Sequence, residues 1–236
     1  MKSFHSVLCL SEAKGMDIIM KKVHYYYKRM FYYIAGLLIM SAGSNLFLQA
    51  ALGVAPSCTL ALALTELFPS KSYALFNFIV NAGLLVCETA VEKRAGKKQV
   101  LQLLLTFLYS MFIQVTSLPF QMLSTHLMAV RILLSIAACA VLAIGISFTV
   151  NSGFAVLPME GFVASLAEKE GKSFGTVRVR IEMLITVISA VISILFLGNI
   201  SAVGIGTVIA AVCTGTITNL LSRIFAGGFR SSHSAA

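Results

Sequence analysis

The stretch that decides the fold is NSGFAVLPMEGFVASLAEKEGKSFGTVRVRIE, which runs from Asn151 to Glu182. A long apolar segment ends at its start, and Pro158 then opens a short segment that ends near Gly171. A new apolar segment follows, with charged residues near its beginning. The pattern predicts a helix that is broken before a proline and restarts as a short helix.

A weaker copy of this stretch, QAALGVAPSCTLALALTELFPSKSYALFNFIVN, lies in the first half from Gln49 to Asn81. A shift of 102 positions matches Gly43 with Gly145, Val54 with Val156, Pro56 with Pro158, Leu64 with Leu166 and Glu66 with Glu168. A one-residue slip then aligns Lys71-Ser72-Tyr73 with Lys172-Ser173-Phe174. The chain is therefore predicted to contain two copies of one unit, repeat one at 30–119 and repeat two at 128–226.

The composition identifies the class of protein. Of the 236 residues, 58% are hydrophobic and 11% are charged, and the mean hydropathy is +0.90. Soluble domains carry about a quarter charged residues, and several runs here exceed the ~18 apolar residues that indicate a spanning helix. Long continuous runs favour helices over a barrel. The prediction is an all-α polytopic membrane protein in contact with the lipid bilayer.

The net charge of +9 is placed mainly in short segments that flank the apolar runs. This placement is typical of topology determinants on an anionic cytoplasmic leaflet, so nucleic-acid binding has no support beyond net charge. Six spans are predicted, beginning near residues 30, 72, 100, 128, 174 and 202. The segments at 57–68 and 158–170 are too short to cross a ~30 Å hydrocarbon core at ~1.5 Å per residue.

The charge distribution selects this topology over one with eight crossings. With six spans, an N-terminal tail (1–29), the basic loop Lys93–Lys98 and a C-terminal tail (227–236) all lie in the cytoplasm. If the short helices also crossed, the Lys93–Lys98 loop would lie outside, against the positive-inside rule. Because each unit then has an odd number of crossings, the second copy is inverted, with a re-entrant helix in each copy. Inverted repeats with interrupted helices are typical of transporters.

Three charged residues open the fifth predicted span and are candidate solute contacts. Arg178 and Glu182 stand at i and i+4, close enough to pair, whereas Arg180 faces another way. Charged groups at bilayer depth usually face a polar cavity or a partner. The alternative is that all three are interfacial anchors. Glu160, in the first turn of the second short helix, either caps that turn or contributes to the site.

The two short-helix starts, Pro56-Ser57 and Pro158, direct unpaired backbone N–H groups into the fold, which suits an anion or a carboxylate. The alternative is that neighbouring side chains or water satisfy these groups. Asn77, Asn81 and Asn151 lie within spans, either as interhelical hydrogen-bonding groups or as solute contacts. Glu88 is expected near the membrane interface.

Sequence motifs for other functions are missing. The sequence contains no GxxxxGK[ST], HExxH or GxSxG, and its five cysteines occur singly. We therefore expect no enzymatic activity, no catalytic residues, no metal site and no cofactor.

The chain resembles the YczE/YyaS/YitT-type bacterial integral membrane proteins, especially the YczE-like branch. The resemblance rests on Leu52-Gly53-Val54-Ala55-Pro56, Val177-Arg178-Val179-Arg180-Ile181-Glu182 and Val203-Gly204-Ile205-Gly206-Thr207, and covers roughly residues 30–226. It departs at Ser57, where family members often have an aromatic residue followed by an acid, whereas the second copy keeps Glu160. The resemblance implies a multi-pass protein of the bacterial cytoplasmic membrane and no established activity.

Two functions remain as hypotheses. The first is a small secondary transporter or permease for a small solute, with an anionic solute suited to the helix starts. The second is a non-transporting membrane scaffold or accessory protein for a partner enzyme. A homo-oligomer or a complex with a partner protein is compatible with either. The substrate and the coupling ion are not encoded in any recognisable motif.

Overall fold

The computed structural model describes the backbone of residues 2–120, 127–198 and 202–211, and the side chains within these ranges from residue 23 onward. Every regular element in this part of the chain is helical. In chain order these are α1 (Lys2–Ala50), a 3-10 turn (Pro56–Cys58) leading into α2 (Thr59–Leu67), α3 (Tyr73–Glu92), α4 (Lys97–Phe120), α5 (Met128–Ser152), α6 (Pro158–Glu170) and α7 (Phe174–Ile192), which a π-helical turn (Ser193–Leu197) extends. A further helix, α8, is described at 205–211.

Within the described ranges, five helices are long and apolar enough to cross a membrane: Val23–Ala50 of α1, then α3, α4, α5 and Phe174–Leu197. The prediction of an α-helical membrane protein is confirmed. The sixth predicted span, at 202–226, lies mostly outside the described residues. Helices α2 and α6 have nine and 13 residues, which is about 14 and 20 Å of helix and too short to cross ~30 Å of hydrocarbon.

The first helix begins much earlier than the sequence suggested. The sequence analysis started it at Met30 and treated 1–29 as a tail, whereas α1 begins at Lys2. No proline occurs between residues 2 and 50, so the helical hydrogen-bond ladder can continue toward the N-terminus. As a result, Arg29 is part of a helix and has a fixed position.

Helices α1 and α5 form the centre of the molecule and cross at glycines. A Cβ atom added at Gly145 would lie 2.6 Å from the Met40 backbone nitrogen, and one added at Gly43 would lie 2.8 Å from the backbone nitrogen of Leu142. Gly36 lies in the same contact, against the carbonyl oxygen of Gly145. Gly36 and Gly43 thus allow α5 to approach α1 closely.

The ends of α1 and α5 are held by two arginines in a reciprocal way. Arg29 Nε donates to the carbonyl oxygen of Ser152 at the end of α5 (2.6 Å), and Arg131 Nε donates to that of Ala50 at the end of α1 (2.7 Å). The 102-position shift relates Arg29 to Arg131 and Ala50 to Ser152. A cation at a helix C-terminus satisfies carbonyls that have no intrahelical partner. These contacts make α1 and α5 antiparallel.

Each short helix packs against both halves of the chain. Helix α2 lies against α3, which follows it, and against α7, whereas α6 lies against α7, which follows it, and against α3. The N-caps of α3 and α7 also correspond, since Ser72 and Ser173 each accept a hydrogen bond from the backbone N–H three residues on. The two short helices are therefore wedged between the same pair of long helices.

Candidate functional site

A small cavity of about 50 Å³ lies at the centre of the bundle, where the two short helices begin. Five of the predicted site residues line it: Ser57, Asn77, Asn81, Glu160 and Arg178. The remaining lining residues are Met40, Cys58, Tyr109, Leu142, Ile146, Leu157 and Met159. The fold thus brings together residues that are more than 100 positions apart in sequence.

The lining of this central cavity consists largely of positions that correspond between the two halves. The 102-position shift pairs Met40 with Leu142, Ser57 with Met159 and Cys58 with Glu160. After the one-residue slip, Asn77 pairs with Arg178. The cavity is therefore built where equivalent surfaces of the two halves meet.

Equivalent polar pairs border the cavity on α3 and α7. On α7, Arg178 Nε donates to Glu182 Oε1 at 3.0 Å. At the corresponding positions of α3, Asn81 Nδ2 donates to Asn77 Oδ1 at 3.2 Å and to the Asn77 carbonyl oxygen at 2.9 Å. The i, i+4 spacing is the same in both halves, but donor and acceptor positions are exchanged, and the pair is neutral in the first half and charged in the second.

Among the described residues, Glu160 is the one ionisable residue that lines both the central cavity and a larger neighbouring cavity. Its carboxyl group accepts a hydrogen bond from its own backbone N–H, while Oε2 is buried without a hydrogen-bond partner among the described residues. Burial raises the pKa of the Glu160 carboxyl above its usual value, and the nearby Arg178 guanidinium opposes that rise. One helix-start N–H of α6, that of Glu160, is thus satisfied by a carboxyl group of the protein itself.

Other predicted site residues lie outside this cavity. Arg180 is exposed and donates to Glu170 Oε2 at 2.8 Å, so the prediction that it faces away from Arg178 is confirmed. Asn151 donates to the carbonyl oxygen of Ser147 in its own helix. Pro56 and Pro158 are buried as the first residues of the short helices and do not line the cavity.

The larger cavity, of about 450 Å³, lies between α1, α4, α5 and the start of α6. It shares Met40, Ile146, Leu157 and Glu160 with the central cavity, so the two adjoin. Its other lining residues are Tyr33, Lys98, Leu101, Gln102, Thr149, Val150, Gly153, Phe154, Ala155 and Val156. Most of this surface is apolar, and its polar side chains are those of Tyr33, Lys98, Gln102, Thr149 and Glu160.

A buried polar cluster beside the larger cavity escaped the sequence analysis. Glu88 stays predicted near the membrane interface; its side chain is fully buried in the bundle and pairs with Lys98 Nζ at 2.7 Å. Gln102 Nε2 donates to the same carboxylate at 3.1 Å. A side chain at Gly161 would collide with this carboxylate, so the glycine is what allows α6 to approach. Two acids four residues apart near the end of an apolar run, Glu88 and Glu92, were the available signal.

Around both cavities, carboxyl groups outnumber cations. Among the described residues, Glu160 lines both cavities, and Glu88, Glu92 and Glu182 lie beside them as partners of the lining residues Lys98 and Arg178. Lys98 pairs with Glu88 and Glu92 and Arg178 with Glu182, while Arg29 at the rim donates to the Ser152 carbonyl. No group of three His, Cys, Asp or Glu side chains that could hold a metal is present among the described residues.

Comparisons with known proteins give the family and nothing further. The family model described as a family of unknown function, DUF6198, matches residues 27–223. No curated protein and no solved structure matches the chain. Since that model spans most of the sequence, the chain belongs to the DUF6198 family of unknown function.

Proposed function

We propose that the chain is a small secondary transporter of the bacterial cytoplasmic membrane and moves a small solute between its two halves. The observation that carries this proposal is the central cavity lined by corresponding residues of both halves. In transporters built from internal repeats, the solute site lies at the repeat interface beside interrupted helices. The cavity, with Ser57, Glu160 and the Arg178–Glu182 pair, occupies that position.

Inverted repeats are the architecture that this mechanism requires. The antiparallel course of α1 and α5 and the reciprocal contacts of Arg29 and Arg131 support it, because equivalent helices that both cross a membrane in opposite directions belong to inverted units. The sixth span that the sequence predicts at 202–226 would complete the second unit. Rocking of one unit against the other would then expose the central cavity to each side in turn.

The orientation, with both termini in the cytoplasm, is testable by cysteine accessibility in a background without native cysteines. We expect Gly96→Cys, in the basic loop, to react with a membrane-impermeant maleimide only after the cells are opened. Ser70→Cys, in the exposed turn after α2, is expected to react in intact cells. Reaction of Gly96→Cys in intact cells would refute the six-span topology.

Transport itself is tested in proteoliposomes with a panel of labelled amines, amino acids, carboxylates and sugars. Arg178→Ala should abolish any uptake, since Arg178 lines the central cavity. Arg180→Ala is the matched control, because it removes the same charge from an exposed position two residues away. Both variants must show the same monodisperse elution in detergent as the wild type.

Two results would contradict the proposal. One is equal loss of uptake in Arg178→Ala and Arg180→Ala, which would assign the effect to charge or assembly instead of the cavity. The other is wild-type protein with no flux above empty liposomes for the whole panel. That outcome would favour the scaffold or accessory role. The resemblance to the YczE-like branch stays a prediction and adds no activity.

A further inference from the structure

Three buried polar atoms that have no hydrogen-bond partner within the described ranges belong to residues that line the larger cavity. They are the hydroxyl oxygen of Tyr33, Oε1 of Gln102 and Oε2 of Glu160. Tyr33 is 0% exposed and Gln102 is 1% exposed. The Tyr33 phenol is also within electrostatic range of the Glu160 carboxyl group. Orphaned polar atoms are rare in folded proteins, and a group of them around one cavity indicates a bound polar partner.

The size and lining of this cavity indicate what kind of ligand the bound partner is. A volume of about 450 Å³ lies within the ~300–1,000 Å³ range of small-molecule sites. Leucine, isoleucine, valine, methionine and phenylalanine side chains form most of the wall, whereas the unpartnered atoms belong to Tyr33, Gln102 and Glu160. A ligand that fits both features has an apolar body and a single polar head.

Hydrogen-bonding capacity gives the chemistry of the head. Gln102 Oε1 and Glu160 Oε2 are acceptors, and the Tyr33 hydroxyl can accept as well as donate. The head must therefore supply donors, and an ammonium group carries three. A carboxylate head carries none and would meet two acceptors.

The charged groups around the larger cavity also favour a cationic head. Lys98 already pairs with Glu88 and Glu92, and Arg178 pairs with Glu182, so neither cation is free for an anionic head. The Glu160 backbone N–H, in the first turn of α6, donates to the Glu160 carboxyl group. A cation beside Glu160 would reduce the local excess of negative charge, whereas an anion would increase it.

We propose that the larger cavity binds a small primary amine as its ammonium form, with the head at Glu160, Gln102 and Tyr33 and the apolar body along the cavity wall. This replaces the anionic solute suggested by the helix starts alone. Only the identification of this amine as the transported solute rests on the proposed function. The binding site itself is defined without reference to flux.

The test uses three probes of similar shape and different head: phenethylamine, phenethyl alcohol and phenylacetate. Their binding to the purified full-length protein is measured by isothermal titration at one pH near neutrality. We expect phenethylamine to bind at least about tenfold more tightly than the alcohol, and phenylacetate to show no binding. Glu160→Gln should weaken amine binding by about thirtyfold or more, because the buried partner of the charge is lost.

Matched variants keep the result interpretable. Glu170→Gln removes a carboxylate at an exposed position that lines neither cavity and should bind phenethylamine as the wild type does. If Glu160→Gln does not fold, Val156→Phe, at a 43% exposed position in the wall, should weaken binding by occupying part of the cavity. Each variant is first checked for wild-type elution in detergent.

Equal affinity for amine and alcohol would overturn the proposal, as would tighter binding of phenylacetate or unchanged amine binding in Glu160→Gln. Binding of no probe by folded protein would also overturn it and leave a water-filled cavity. Failure of the transport proposal is distinguishable, because it is read from liposome flux. Selective amine binding without flux would refute transport and retain this site.

Discussion

The two halves of the molecule share their architecture and differ in their chemistry. Each half has a long helix that ends in a residue with positive φ, Ala51 or Gly153, and then a short proline-headed helix. At the central cavity, however, the first half offers Cys58 and two asparagines, whereas the second offers Glu160 and Arg178, which is paired with Glu182. The comparison indicates that packing positions kept their roles in both halves while charge was concentrated in the second.

The largest effect is expected at the helix crossing, where the halves are alike. Gly145→Val should lower the free energy of unfolding by about 3 kcal/mol, because the added atoms meet backbone of α1. Gly43→Val should cost a similar amount. The measurement is unfolding in detergent, and Gly83→Val is the control, since no atom lies within 4 Å of a Cβ there. A large effect at only one of the two positions would break the equivalence of the halves.

The equivalent pairs on α7 and α3 should differ in strength. A double-mutant cycle with Arg178→Met and Glu182→Met is expected to give a coupling energy of about 1.5 kcal/mol, since part-buried opposite charges attract. The corresponding cycle with Asn77→Ala and Asn81→Ala should give about 0.6 kcal/mol, as for other intramembrane hydrogen bonds. Equal couplings would show that the charges add no stability and that their placement has another cause.

The pH dependence of phenethylamine binding should depend on Glu160 and not on Cys58, its counterpart in the first half. Because burial raises the pKa of Glu160, its carboxyl group takes up a proton at higher pH than an exposed acid does. Below that pKa the group is neutral while an amine stays charged, so phenethylamine affinity should fall by up to about tenfold per pH unit as the pH decreases. The groups that face Glu160 from the surrounding helices are Tyr33, Cys58, Tyr109, Arg178 and Glu182.

Titrations at several pH values measure this effect. Glu160→Gln should make the residual affinity independent of pH in the acidic range, while Cys58→Ala should leave the wild-type dependence in place. If Glu160→Gln kept the full pH dependence of phenethylamine affinity, the group that takes up the proton would be one other than Glu160.

The smallest effects are expected at the reciprocal helix ends. Arg29→Met and Arg131→Met should each lower the free energy of unfolding by about 1 kcal/mol, because each removes a cation from the last carbonyls of a helix. Arg94→Met, in the exposed loop, serves as the control. A loss in only one of the two variants would show that the capping of α1 and α5 is not symmetric.

Much of this organisation was predictable because it depends on local pattern. The apolar runs, the breaks before Pro56 and Pro158, and the spacing that lets Arg178 reach Glu182 are all short-range features. The start of α1 was wrong in the sequence analysis because a mixed polar segment without proline can continue a helix. The burial of Glu88 was not predictable from local pattern, because its partners, Lys98 and Gln102, lie on a different helix.

The sequence by itself determined that the chain is a helical membrane protein, that its helices break at two matching prolines, and which polar residues occupy the middle of the spans. Only the tertiary structure decided that α1 and α5 run antiparallel with reciprocal arginine contacts, and that Asn77 and Arg178 face one cavity. It also decided that Tyr33, Gln102 and Glu160 line the larger cavity. The physical reason is the sequence separation of the interacting residues. Helix formation follows from neighbours within a few residues, whereas a cavity is defined by surfaces that meet across about a hundred positions of chain.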